Sequence, residues 1–236
     1  MKLFALSTLA LIGCGMPAPP ASGLAGNDPD ASIAIPPPGD GDDEVEVDAA
    51  PRADAEPRSR VLTQTTSDQI EPLASVSCAD DSGLHLENSY YRVFDLAALG
   101  IPSAFHVTGV DVAVETAVGG DDATQPVEVL LHTLTGELRT ENLQNLATET
   151  QDVIDRLGGR LEYTFDATVP AGGKFAVEVH LPDGRDGGNS FYIGANNDGQ
   201  SAPGYLRAPD CGTDEPTTLA EIGFPDVAIL IDVTGD

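Results

Sequence analysis

Alternation is the dominant signal in the second half of the chain. Val110, Val112 and Val114 alternate with Asp111, Ala113 and Glu115. Val127, Val129, Leu131 and Thr133 alternate with Glu128, Leu130, His132 and Leu134. The same pattern runs through Phe175 to Leu181 and Val227 to Val233. Successive side chains of a strand point to opposite faces, so each run predicts a strand with one buried face. Tyr90 to Leu96, Arg160 to Val169 and Phe191 to Gly194 predict further, less regular strands. Gly119-Gly120-Asp121-Asp122, Thr135-Gly136, Pro170-Ala171-Gly172-Gly173 and Pro182-Asp183-Gly184 separate these runs with turn chemistry. The segment from Glu141 to Leu157 has helix-like content, but its threonines favour a strand preceded by a loop. Gly158-Gly159 then reads as a helix stop or a hairpin turn. The expected fold is all-β: an antiparallel, jelly-roll-like β-sandwich over residues 76–236.

Residues 14–75 read differently. Prolines at 17, 19, 20 and 36–38, the acidic run Asp40 to Glu44 and a lack of aromatics predict a disordered acidic, Pro-rich tether. As a flexible chain it would reach about 45 Å. Residues 1–13 carry Lys2 followed by a short apolar stretch, Phe4 to Ile12, which is too short to span a bilayer. The run Leu11-Ile12-Gly13-Cys14 resembles the lipobox of bacterial lipoproteins. That resemblance implies a signal peptide ending at Gly13 and lipidation of Cys14. Several acyl chains would make the attachment stable, whereas one chain anchors only marginally. Gly15, rather than an acid, follows the cysteine. In lipoprotein sorting this favours the outer membrane, with the domain facing the periplasm or the cell surface.

Export changes the reading of the cysteines. An extracytoplasmic compartment permits disulfides, and with Cys14 lipidated, Cys78 and Cys211 remain as a pair. The formal charge is −28. Residues 76–236 alone hold 27 acids against 7 bases. Such a surface excludes nucleic acid as a partner, since phosphate binding needs clustered cations. It also disfavours adsorption to anionic lipid.

Asn88-Ser89-Tyr90-Tyr91-Arg92-Val93-Phe94-Asp95-Leu96 resembles the opening of a β-sandwich accessory domain of secreted bacterial proteins. Gln125-Pro126-Val127, Val169-Pro170-Ala171-Gly172, Phe191 to Asn196 and Ala220 to Pro225 agree with it. The resemblance covers residues 78–235 and implies an extracellular, non-catalytic module. It brings no functional residue with it.

Candidate sites therefore come from the residues alone. Three loops are rich in hard oxygen donors and could hold Ca²⁺: Asp121 and Asp122, Asp183 and Asp186, and Asn196 and Asp198. None follows the EF-hand pattern. His132 and His180 share strand parity with Glu128 and Glu178, so neighbouring strands would create a His/Glu surface cluster. No HExxH, CxxC or G-x-S-x-G motif is present. Glycan binding needs exposed aromatics, and there is no tryptophan. Tyr90, Tyr91, Tyr192 and Tyr205 are the candidates. Adjacent Tyr90 and Tyr91 must point to opposite faces. Arg92 and Glu115 read as members of cross-strand ion pairs. The function these features predict is a lipid-anchored envelope protein that displays an interaction module for an extracellular protein or glycan. A structural spacer and an uncharacterised hydrolase are the alternatives.

Overall fold

A computed structural model of the chain describes residues 2–5, 59–120 and 122–236. Cys14, most of the expected signal peptide, the tether up to residue 58, and Asp121 lie outside the described residues. The described residues are built from strands and two short 3₁₀ turns. The strands are β1 (Lys2–Ala5), β2 (Arg60–Leu62), β3 (Val76–Ala79), β4 (Asn88–Asp95), β5 (Phe105–Val118), β6 (Thr124–Leu134), β7 (Leu143–Ile154) and β8 (Arg156–Leu157). They continue with β9 (Arg160–Val169), β10 (Lys174–Leu181), β11 (Ser190–Ile193), β12 (Ala195–Asn196), β13 (Tyr205–Ala208), β14 (Thr213–Thr218), β15 (Ala228–Ile229) and β16 (Ile231–Gly235).

Two antiparallel sheets make the sandwich. The first runs β14-β13-β4-β10-β6-β7. The second is centred on the long β5, which pairs with β9 and β8 on one side and with β16 and β11 on the other, with β2 outside β16. Two small pairings, β1 with β3 and β12 with β15, complete the set. The alternation read from the sequence sets which residues face inward. Val127, Val129 and Leu131 of β6 and Phe175, Val177 and Val179 of β10 meet Val110, Val112 and Val233 of the second sheet in one apolar cluster. Phe175 spans the layers: its ring lies 5.1 Å from Phe94 in its own sheet and 6.3 Å from Phe105 in the other. Burying each such ring stabilises the fold by roughly 1.5–3 kcal/mol.

The ambiguous segment is a strand, β7, entered through a 3₁₀ turn at Thr140–Asn142. Gly158 and Gly159 are neither a helix stop nor a hairpin turn: they carry the chain straight from β8 into β9 along the same side of β5. There Gly158 N–H donates to the Glu115 carbonyl at 2.8 Å and Val114 N–H to the Gly159 carbonyl at 2.9 Å, and the glycine φ values of 72° and 100° are ones that side chains adopt only under strain. The predicted Cys78–Cys211 disulfide is present and links residues 133 apart in sequence.

The sandwich begins earlier than expected. Residues 60–75 belong to it and not to a tether. β2 pairs with β16, Leu62 and Ala74 are in the core, and Gln64 donates through Nε2 to the Val93 carbonyl at 2.5 Å. Three residues of strand inside an acidic, Pro-rich stretch carry too little alternation to be read as a strand.

Among the described residues, Arg92 and Glu115 make no ion pair with each other or across strands. Arg92 is fully buried on the inner face of β4 and donates to neutral acceptors. Nε and Nη2 reach the Ile229 carbonyl at 3.2 and 2.6 Å, and Nη1 reaches Gln200 Oε1 and the Ala202 carbonyl at 2.7 Å each. Burial pulls the guanidinium down to about 10, so it stays charged at neutral pH. The Glu115 carboxylate accepts the backbone N–H groups of Leu73 and Ser75 at 2.9 and 3.2 Å. It thereby fastens residues 73–75 to β5.

Candidate functional site

The first sheet keeps one face for the core and turns the other outward. Register places Tyr205, Tyr91, Glu178 and Leu130 in one row across β13, β4, β10 and β6. Arg207, Ser89, His180 and Glu128 form the next row. All of these residues have outward parity, because Leu206, Tyr90, Val179 and Val129 between them are core residues.

This outward face is roofed at one end. The loop from Thr135 to Asn142, between β6 and β7, reaches β14 at the far edge of the same sheet. Thr140 donates to Glu215 through its backbone N–H at 2.9 Å and its hydroxyl at 2.5 Å. These bonds hold the Glu215 carboxyl below its usual range. Three strands, β13, β4 and β10, lie between β14 and β6 in the sheet order. The loop that leaves β6 therefore crosses these strands to reach β14, and its Gly136, Glu137 and Leu138 line one groove with Val93 and Tyr205 of the outward face. Asn142 Nδ2 donates to the Glu137 carbonyl at 3.0 Å and stiffens the loop.

Under and beside this loop is a groove of about 510 Å³. Val93, Leu134, Lys174 and Tyr205 contribute the sheet side, and Glu137 and Glu221 stand on the two flanking segments. Tyr205 is half-buried. Burial first, and then the nearby Glu221 charge, raise its phenol above the ordinary value. Glu221 is held in place by Thr218, whose N–H and hydroxyl donate to Oε2 at 3.2 and 2.7 Å. Glu221 Oε1 takes no hydrogen bond among the described residues. Lys174 lies 3.4 Å from Asp95, so its charge is compensated within the protein.

Deeper on the same face is a polar network. Glu178 accepts from the Tyr91 hydroxyl at 2.9 Å and from His132 Nε2 at 2.8 Å. Burial alone would raise the Glu178 carboxyl, but the hydrogen bonds, led by His132, outweigh it and hold it below the usual range. The His/Glu cluster expected from parity thus exists, but as a buried pair: the side chains are 9% and 12% exposed. Ser89 Oγ pairs with His180 Nδ1 at 3.0 Å. A serine–histidine contact is half of a nucleophilic relay. Ser89, however, is fully buried and offers no hydroxyl to a substrate.

The four tyrosines separate by position. Tyr90 is a core residue whose hydroxyl donates to the Val76 carbonyl at 2.8 Å, so the expectation that it binds ligand is overturned. Tyr91 points outward as parity requires, yet it is buried in the Glu178 network and presents no ring face, which overturns the same expectation for it. Tyr192 sits on the second sheet beside Thr116, whose other partner, Leu157, is 85% exposed. Of the four, Tyr205 lines the groove.

The calcium loops do not converge as a set. Gly119–Asp122 and Asp183–Asn189 do pack together. Gly120 N–H donates to Asn189 Oδ1 at 3.0 Å, and a Cβ on Gly120 would lie 2.0 Å from the Gly187 carbonyl oxygen. The Asp183 carboxylate, however, is committed to Arg185, whose Nε lies 3.0 Å from both its oxygens. Asn196 and Asp198 lie in a different loop. Asn196 donates to the Ser67 and Gln69 carbonyls and accepts from the Asp198 N–H, which is turn chemistry. Asp122 and Asp186 take no part in a shared cluster. No group of three His, Cys, Asp or Glu residues able to hold a metal occurs among the described residues. The described donors do not gather into a Ca²⁺ shell of six to eight oxygens.

Val93, Leu134, Glu137, Lys174 and Glu221 were not legible as site residues from the sequence. Only the strand order and the Thr140–Glu215 contact bring them together.

No family model matches the chain, and no curated protein matches its sequence. Among solved structures it is similar to the cysteine protease and lectin-like domains of Cwp84, a surface layer associated protein of Clostridium difficile. The TM-score is 0.51 at 12% identity, over 75% of this chain and 36% of that one. A second structure, a variant of the clostridial cysteine protease Cwp84 after propeptide cleavage, gives a TM-score of 0.45 at 12% identity, over 75% of this chain and 40% of that one. The chain spans little more than a third of the length of these proteins, and the first likeness is one of fold alone.

Proposed function

We propose that this protein is a lipid-anchored envelope protein that displays a non-catalytic β-sandwich, and that the sandwich binds glycan in the roofed groove of its first sheet. The groove carries this reading. Its volume suits a short oligosaccharide, within the roughly 300–1,000 Å³ of small-ligand sites. It combines an aromatic ring, Tyr205, with carboxylate and hydroxyl acceptors at its edge, Glu221 and Thr218. Sugar C–H faces pack on aromatic rings, and sugar hydroxyls donate to carboxylates. A protein partner would need a broader contact, about 800 Å² on each side. The fold is also similar to part of a surface layer associated protein that includes a lectin-like domain.

The non-catalytic part of the proposal rests on the burial of Ser89 and on the full engagement of Glu178. In the same reading Cys14 carries the lipid, the following residues tether the sandwich to the outer membrane, and the domain faces the periplasm or the cell surface. A glycan array probed with the purified protein and its Tyr205→Ala variant tests the binding role. Array signals lost in the variant support it. Signals unchanged in the variant, or no signal with either protein, count against it. Retention of radiolabelled palmitate by the wild type but not by Cys14→Ala tests the anchor.

A further inference from the structure

We infer that the ligand of the groove is an amine-bearing sugar, a glycan with unacetylated amino groups. This rests on the glycan-groove reading and names the chemistry of its ligand. The groove presents two carboxylates from opposite segments, Glu137 before β7 and Glu221 after β14. Glu221 is fixed by the two Thr218 bonds to Oε2, which leaves Oε1 to receive a donor. Glu137 is 87% exposed, and its nearest cation, Arg139, is 3.9 Å away and itself more than half exposed, so their pairing is weak. The one lysine in the lining, Lys174, is offset by Asp95. The groove is therefore net anionic and sits in a sandwich of strong net negative charge. Such a field concentrates cations and repels uronic and sialic acids.

Tyr205 adds a second element of selectivity. An ammonium group over a tyrosine face gains cation–π attraction in addition to its contact with a carboxylate. Tyr205 and Glu221 line the same groove. Acetylation removes both the charge and the cation–π attraction. A basic peptide would satisfy the charges too, but the half-buried Tyr205 ring offers a face for a sugar ring to stack on.

The test is isothermal titration of the intact protein with four probes: a glucosamine tetrasaccharide, its N-acetylated counterpart, a glucose tetrasaccharide and tetralysine. The expected result is a glucosamine probe bound about tenfold more tightly than its acetylated form, equivalent to about 1.4 kcal/mol. That preference should shrink with added salt. It should also shrink in Glu221→Gln, which keeps an acceptor for Thr218, and in Glu137→Gln, where the side chain is exposed and its loss cannot unfold the domain. Equal or tighter binding of the acetylated or glucose probe overturns the amine inference and leaves the glycan reading standing. Tetralysine binding more tightly than the amino sugar overturns it in favour of a basic peptide. Binding of no probe removes the inference and the glycan reading together.

Discussion

Replacing Arg92 with methionine tests the fold where its polar chemistry is most concentrated. Arg92 is among the largest fully buried side chains of the described residues, and its hydrogen-bond partners are all neutral. It joins β4 to β15 and to the loop that holds Gln200 and Ala202. Removing the guanidinium orphans the Ile229 and Ala202 carbonyls and Gln200 Oε1, at about 1–3 kcal/mol each. Part of that is offset, because exchanging a buried ion for an apolar group of similar size is often worth about 1–4 kcal/mol. The balance for Arg92→Met is a loss of about 2–5 kcal/mol. For a folded unit of this size that lowers Tm by about 5–15 °C. Arg92→Lys sharpens the test. An ammonium keeps the burial penalty but cannot span three acceptors as the planar fork does. It should be at least as damaging as methionine. Urea unfolding followed by far-UV circular dichroism at neutral pH measures both variants. A lysine variant within about 0.5 kcal/mol of wild type would refute the reasoning, since the long-range attraction of the Asp232 carboxylate, which opposes the effect of burial on Arg92, would then suffice.

Three further outcomes are expected. Reducing Cys78–Cys211, or replacing both residues with alanine, should cost about 2–4 kcal/mol, with a chain-entropy ceiling of about 5 kcal/mol for a loop this long; scanning calorimetry with and without reductant measures it. Stability should fall on acidification in two stages. Burial lowers the His85 pKa, so its contribution is complete above the unfolded value near 6.5 and shrinks as pH falls below it. Glu178 is held low, so its contribution is present above the ordinary carboxylate range and is lost as pH falls through its folded pKa. The raised, largely exposed His106 opposes the first stage weakly. Melting across the acid-to-neutral range in wild type and His85→Gln checks the assignment, and an unchanged profile in the variant would count against it. Gly120→Ala should destabilise the contact between the Gly119–Asp122 and Asp183–Asn189 loops, because its Cβ would meet backbone at 2.0 Å. Hydrogen exchange at residues 184–189 should quicken, and unchanged protection would contradict the packing.

Much of this fold was legible because its central strands carry their own periodicity. β10 and the first part of β6 follow the alternation, with Val127, Val129, Val177 and Val179 in the core and Glu128 and His180 outside it. The pattern breaks at the register shift between Leu131 and His132: His132 and Leu134, expected to face outward, are buried, and Thr133, expected to face inward, is not. The edges were not legible. β14 contains Asp214, Glu215 and Pro216, a composition that signals a turn, and it is a strand because β13 supplies the ladder. β2 gains its order from β16, far away in the sequence. Arg92 looked like half of an ion pair because sequence cannot reveal that carbonyls converge on it. The groove was hidden for the same reason. Tyr205 could be named as an aromatic candidate, but Val93, Leu134, Lys174 and Glu221 meet only after the sheet is ordered and Thr140 has reached Glu215.

The most direct test of the groove as a binding site is amide NMR of the isotopically labelled protein titrated with the strongest glycan from the array. The account predicts shift changes centred on Val93, Leu134, Lys174, Tyr205 and Thr218, with the glycan signals unaltered in chemical structure over days. Changes centred on Tyr192 and Leu157 would contradict the groove as the site, and the appearance of cleaved glycan would contradict a non-catalytic module.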